Sequence, residues 1–142
     1  MEQNSDIKKL VEETVLSTLD YIGRVTTLIT PISDEFYQNP KTESWNQLAG
    51  LLEGIGWIFD TMVSINNLQN LDTHLSSYST WNEYVQSVIK LNDLLPELEE
   101  SIKNQDNVLI ADLLNYEFYP IFEDAYEKLR LLSPSGDEDY VS

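Results

Sequence analysis

The stretch that decides the fold is IKKLVEETVLSTLDYIGRVTTLITPISDEF, residues 7–36. Apolar residues recur in it at steps of three and four, which is the spacing of one face of an α-helix. The 142 residues include only five Gly and five Pro, whereas a β protein needs turn residues about every 8–12 positions. We therefore predict an all-α fold. The residues of this first helical face are Ile7, Val11, Val15, Leu19, Ile22, Val25, Ile29, Ile32 and Phe36.

Three later segments show the same spacing, and helix-capping residues stand at their beginnings. Four helices joined by polar turns predict an up-down four-helix bundle in one domain, residues 1–132. It would consist of two αα-hairpins, at about residues 6–66 and 80–132. The predicted first residues or caps are Ser5 or Asp6, Thr42 or Glu43, a TWNE capping box at residues 80–83, and Asp106. The further core positions are Trp45, Leu48, Leu52, Ile55, Phe59, Met62, Trp81, Val85, Val88, Leu91, Leu95, Leu98, Ile102, Leu114, Phe118, Ile121, Ala125 and Leu129.

Pro31, Pro96 and Pro120 fall inside these helical patterns. Proline lacks an amide hydrogen and collides with the preceding turn, so we expect kinked helices, or in the first helix a restart capped by Thr30. After the last helix, residues 133–142 (SPSGDEDYVS) lack periodicity and contain a run of acids. We predict that they form a disordered acidic tail.

The net charge is −17, from 25 acidic and eight basic residues. A field of this sign repels phosphate backbones and anionic membranes, so we expect neither direct nucleic-acid binding nor membrane binding. A partner protein with a basic surface would be attracted. The N-terminal residues lack the apolar core of a signal peptide, and no stretch approaches the ~18 apolar residues of a membrane span. We therefore expect a cytoplasmic protein.

The residues that usually carry chemistry are scarce. There is no cysteine and one histidine, His74, so we expect no metal site and no cofactor. The motif of a serine nucleophile, G-x-S-x-G, is also missing. A hydrolase that used Glu53, Asp112 or Glu117 would need a polar cavity beside these carboxylates. We expect that the protein is not an enzyme.

Gly50 and Gly54 lie on one face of the second helix, and Trp57 continues that face. A glycine inside a helix costs about 1 kcal/mol relative to alanine, so we expect a structural reason for these two glycines. A second helix that crosses closely at this face would supply one. That helix could belong to the bundle, to a second copy in a homodimer or to a partner, and the sequence leaves these alternatives open.

The fourth helix carries a row of tyrosines, Tyr116, Tyr119 and Tyr126, beside its core face. Tyrosine buries its ring while its hydroxyl remains hydrated, which suits the edge of a core. The same property makes tyrosine frequent in protein interfaces. We therefore predict two protein-binding faces, this one and the face of Gly50, Gly54 and Trp57.

Two segments resemble a known family. The residues 106–120 (DNVLIADLLNYEFYP) and 51–59 (LLEGIGWIF) look like matching helices of small uncharacterised acidic helical-bundle proteins from low-GC Gram-positive bacteria. The resemblance implies a helical bundle and no catalytic residues.

Two functional hypotheses from different classes follow. The first is a non-catalytic protein-binding module that acts as an adaptor, a chaperone-like protein or a regulator. The second is an acidic decoy that inhibits another protein by occupying its basic nucleic-acid-binding surface. A decoy should carry its acids in two rows on one surface, whereas this sequence spreads them over all four helices.

Overall fold

The computed structural model describes residues 2–133, and within that range it contains helices and no strand. The all-α fold and the four-helix bundle are confirmed. Of the predicted tail, 133–142, all but Ser133 lies outside the described residues. The first three helices are α1 (Glu2–Gln38), α2 (Thr42–Asn66) and α3 (Tyr78–Lys103), with a short 3₁₀ turn (Leu71–His74) before α3. The fourth segment is continuous and consists of α4 (Asn107–Asp112), a π-helical stretch (Leu113–Phe118) and α5 (Tyr119–Leu132).

The helices pack around one apolar core. Both α1 and α3 contact α2 on one side and the fourth segment on the other. The predicted apolar faces point inward, so that Ile22, Leu91 and Phe118 are fully buried. Burying such side chains stabilises a fold by roughly 1.5–3 kcal/mol each. The largest buried side chains are Trp81, Tyr84, Phe36, Phe118, Phe122, Ile22, Ile29, Leu48, Ile55, Ile58, Leu91 and Leu98.

The α2 helix is apolar and long enough to cross a membrane by length and composition alone. It is the one helix in residues 2–133 with this property. Its side chains Leu48, Ile55 and Ile58 are buried among the other helices. A soluble helix that packs one face into a core can meet the same criterion, because that packing also requires apolar residues.

Two helix starts differ from those predicted. The α1 helix begins at Glu2, before both Ser5 and Asp6, so neither caps it. The α3 helix begins at Tyr78, and the hydroxyl of Ser77 accepts the Thr80 amide at 3.2 Å. The predicted TWNE box therefore lies within α3 and does not open it.

The predictions for the other two starts are confirmed. The α2 helix begins at Thr42. A side-chain oxygen of Asp106 accepts the amide of Leu109 at 3.2 Å and so caps α4. Both starts follow directly after short polar turns, at residues 39–41 and 104–106.

The three prolines behave differently from one another. Both α1 and α3 continue through Pro31 and Pro96, so the predicted restart capped by Thr30 is wrong. Kinks at these two positions stay a prediction. Pro120 follows the π-helical stretch, in which the amide of Tyr119 donates to the carbonyl of Leu114, five residues earlier. A wider turn relieves the collision between a proline ring and the preceding carbonyl, and it explains why the helix changes its hydrogen bonding here.

The core face of α5 includes one residue that the sequence pattern did not name. Phe122 is fully buried, whereas the predicted Ile121 is half-buried and packs against the core. The predicted Ala125 and Leu129 are buried. The core face therefore continues from Phe118 to Leu129 at helical spacing, with Ile121 at its edge.

Candidate functional site

Gly54 lies on a face of α2 that contacts α1. A Cβ atom at position 54 would collide with the hydroxyl group of Tyr21 on α1. The absence of a side chain at Gly54 thus makes room for the Tyr21 ring. Of the alternatives that the sequence left open for this glycine, a contact within the bundle is the one present in the structure.

Tyr21, which lies beside Gly54, also contacts the aromatic side chain of Trp57. Its ring meets the indole of Trp57 edge to face, with centroids 5.3 Å apart and an angle of 71° between the planes. Trp57 remains 45% exposed. On the other side of Tyr21, the guanidinium of Arg24 lies 5.9 Å from the ring centroid and bonds to Asp20 at 3.1 Å. Partial burial raises the pKa of Tyr21.

Tyr21, Arg24, Gly54 and Trp57 line an open groove between α1 and α2. At the Trp57 end the groove encloses about 590 Å³, and at the other end a smaller, more apolar pocket of about 230 Å³ lies beside Leu28. We call it the α1–α2 groove. Its lining residues are Ser17, Asp20, Tyr21, Arg24, Val25, Leu28 and Ile32 on α1, with Gln47, Gly50, Leu51, Glu53, Gly54 and Trp57 on α2.

No described residue packs beside Gly50 as Tyr21 packs beside Gly54. A Cβ at Gly50 would meet nothing within 4 Å, and the same holds for Gly56 elsewhere on the helix. Gly50 lines both pockets of the α1–α2 groove, whereas Gly56 lines neither. The structure therefore brings the predicted residues Gly50, Gly54 and Trp57 to one groove and leaves the space beside Gly50 open.

The predicted tyrosine face is less uniform. Tyr116 is 67% exposed, while Tyr119 and Tyr126 are half-buried. A Cβ at Gly23 would lie 3.0 Å from the Tyr126 ring, so this ring rests on α1 as Tyr21 rests on α2. Tyr126 also lines a wide, shallow depression of about 800 Å³ between α1 and α5. Part of the predicted face thus belongs to the packing of the bundle.

Tyr116 takes part in a polar cluster beside the π-helical stretch. The hydroxyl of Tyr37 on α1 donates a short hydrogen bond to the carboxylate of Asp112. This bond, together with partial burial and the nearby Tyr116, raises the pKa of Tyr37 to about 12. One turn away, the buried hydroxyl of Ser33 donates to the carbonyl of Ala111 at 2.9 Å. The cluster ties the end of α1 to α4.

The carboxylates considered for hydrolysis do not share a cavity. Glu53 lines the α1–α2 groove, Asp112 bonds to Tyr37, and Glu117 is exposed on the π-helical stretch. His74 is buried in the 3₁₀ turn. Among the described residues, no group of three or more His, Asp or Glu side chains is arranged to hold a metal ion.

Sequence reasoning missed the α1 side of the groove, namely Tyr21, Arg24 and Leu28. Tyr21 precedes Ile22 on the core face, and a residue in that position borders the neighbouring helix. The signal was an aromatic residue at the edge of an apolar stripe, but which helix it would contact could not be read from it.

A family model described as a domain of unknown function (DUF8042) matches residues 13–128. The match spans the α1–α2 groove and most of every helix. The chain belongs to this family. Comparisons with curated proteins and with solved structures found no match.

Proposed function

We propose that this member of the DUF8042 family is a non-catalytic protein-binding module, a cytoplasmic adaptor, chaperone-like protein or regulator that binds a partner through the α1–α2 groove. The observation that carries the proposal is the open space beside Gly50, next to the exposed indole of Trp57. Among the residues that the structure describes, none packs against Gly50 in a way that explains a glycine there. A partner that approaches the backbone there would explain it.

The composition of the groove supports the same function. Large aromatic side chains with few rotatable bonds provide contact area at a small entropic cost, and they dominate the energy of many interfaces. The indole of Trp57 is in edge-to-face contact with Tyr21. A partner would therefore meet two aromatic side chains that already pack on each other.

The best test is a pull-down from native lysate at low salt with two groove variants, Trp57→Ala and Gly50→Leu. Tyr78→Ala removes an aromatic residue of similar exposure, 47%, outside the groove. Gly56→Leu adds the same side chain to the same helix, again in open space outside the groove. We expect a stoichiometric partner that both groove variants lose and both controls keep. The proposal is wrong if no partner is recovered, or if the partner binds groove variants and controls alike.

The acidic decoy is the second candidate, and the net charge of −17 supports it. Exposed acids occur on every helix, for instance Glu13, Asp60, Glu99 and Glu123. Such scatter is less favourable to a mimic of nucleic acid than two rows on one face. A decoy should displace nucleic acid from its target, and Gly50→Leu should leave that displacement unchanged.

Two further properties of the family, its acidity and the group of bacteria in which it occurs, are also part of what we propose. That its members are acidic and occur in low-GC Gram-positive bacteria rests on the resemblance of residues 51–59 and 106–120. The remaining predicted contact residues, Tyr116, Tyr119 and Tyr126, would form a second face. Only Tyr116 is well exposed, so we place this face after the groove.

A further inference from the structure

We propose that the occupant of the α1–α2 groove is a basic amphipathic helix of a partner protein. This inference rests on the proposed function and specifies the partner's chemistry. It follows from the shape of the groove, from the distribution of its charges and from the charge of the whole molecule.

The shape of the groove suits a helix. Its lining on α1 runs from Ser17 to Ile32, which at a rise of 1.5 Å per residue is a length of roughly 22 Å, or about four helical turns. The space beside Gly50 lies near its middle and lets another backbone approach closely. Amphipathic helices commonly bind in apolar grooves of this kind, with anchors spaced three, four and seven residues apart.

The two ends of the groove differ in chemistry. Asp20 on α1 and Glu53 on α2 both line the end that holds Trp57, where Asp20 is paired with Arg24. The other end is lined mainly by apolar side chains, of which Leu28 is 52% exposed, together with Gln47 and Arg24. An occupant should therefore place an apolar anchor beside Leu28 and a lysine or arginine beside Glu53.

The charges favour a cationic occupant over a second copy of this chain. Each copy carries −17, so two copies would repel each other on approach. The one base of the groove, Arg24, is already held by Asp20. A basic helix would be steered toward the molecule, and Glu53 would remain available to pair with it.

The probes are synthetic peptides of about 15 residues, the length that spans this groove. One set consists of basic amphipathic helices with leucines three and four residues apart. The comparison peptides are scrambled versions of the same composition and versions with glutamate in place of lysine. Binding is measured by fluorescence anisotropy of the labelled peptide, and its location by amide chemical shifts of the full chain. We expect the basic amphipathic peptides to bind best, with shift changes concentrated in α1 and α2.

Two pairs of variants place the peptide in the groove. Gly50→Leu should weaken binding at least about tenfold while Gly56→Leu leaves it unchanged, because only the first side chain enters the groove. Glu53→Lys and Glu43→Lys change the net charge equally, but only Glu53 lines the groove. Glu53→Lys should weaken binding about tenfold more than Glu43→Lys.

Several results would overturn the inference. In the peptide experiment, these are no binding by any basic amphipathic peptide, or equal binding by scrambled or acidic peptides. Among the variants, it is an equal effect of Glu53→Lys and Glu43→Lys on peptide binding. In sedimentation, it is a dimer of this chain that Gly50→Leu dissociates. The proposed function fails differently. If a cellular partner is lost with Gly50→Leu but ignores Glu53→Lys, the groove binds a partner and only the stated occupant is wrong.

Discussion

The Tyr21 ring on α1 occupies the space that a side chain at Gly54 on α2 would need. Four residues earlier on the same helix, a side chain at Gly50 would meet nothing. The two glycines of one G-x-x-x-G pattern therefore have different reasons to be glycine. Gly54 makes room for Tyr21 within the bundle, whereas the open space beside Gly50 is the observation on which the proposed function rests.

Gly54→Ala should stabilise the protein less than alanine normally stabilises a helix. The added methyl group requires the hydroxyl end of the Tyr21 side chain to shift, and this shift offsets at least part of the gain of up to about 1 kcal/mol in helix propensity. Chemical denaturation of wild type and variant measures the difference. In a Tyr21→Ala background the collision is gone, so the same substitution should give the full gain. An equal effect in both backgrounds would contradict the assigned contact.

Gly50→Ala should give the gain in helix propensity in full. Its methyl group meets no atom within 4 Å, so the gain in helix propensity, about 0.5–1 kcal/mol, remains as added stability. Thermal melting of the free protein measures it, and Gly56→Ala provides a matched control with the same expected gain. A loss of stability from Gly50→Ala would show that the groove is closed in solution.

The parts of the fold that could be predicted are those that local patterns determine. Helical periodicity identified four helices, and Asp106 caps the last of them, although Asn104 and Asn107 beside it are also common capping residues. Ser77 and Thr80 are both residue types that commonly cap a helix. Which of them caps α3 depends on where packing against the other helices lets α3 begin. The π-helical stretch was missed because an apolar pattern does not show whether an amide donates to the carbonyl four or five residues earlier.

The candidate site was predictable on one of its two sides. Gly50, Gly54 and Trp57 stand out on α2 because glycines are costly in a helix and tryptophan is large. Tyr21 on α1 could not be assigned to them, since periodicity within one helix does not fix its register against another. The same limitation made Gly50 and Gly54 look alike, although among the described residues a side chain covers Gly54 and none covers Gly50.

Tyr37 should titrate near pH 12, whereas an ordinary tyrosine titrates near 10.0, because its hydroxyl donates to Asp112. The pKa is raised on folding, so the bond contributes its full stability below about pH 10 and loses it as the pH rises toward 12. Phenolate absorbance of wild type minus Tyr37→Phe isolates this one group. The difference curve should be centred near pH 12 in the folded chain and near 10 in denaturant. A folded-state midpoint near 10 would refute the hydrogen bond.

The tyrosines of the fourth segment should separate into structural and exposed residues. Tyr126→Ala removes a half-buried ring from Gly23 and should cost about 1.5–2.5 kcal/mol, whereas Tyr116→Ala should cost less than about 1 kcal/mol. Phe118→Ala provides the upper reference, at about 3–5 kcal/mol for a fully buried ring. Unfolding free energies from denaturant titration decide the order. Equal costs for Tyr116 and Tyr126 would contradict the difference in their burial.

The melting temperature should rise with moderate NaCl. At −17 the acids of the folded chain repel one another, and exposed acids outnumber the ion pairs that the bases provide in the described residues. Added salt shortens the Debye length from ~30 Å at 0.01 M to ~8 Å at 0.15 M, which screens this repulsion. Replacing Glu97, Glu99 and Glu100 on α3 by glutamine should raise the melting temperature at low salt and reduce its dependence on salt. A flat or falling response in the wild type would mean that its acids lie too far apart to repel one another strongly, and the expected steering of a basic helix toward the α1–α2 groove would weaken with it.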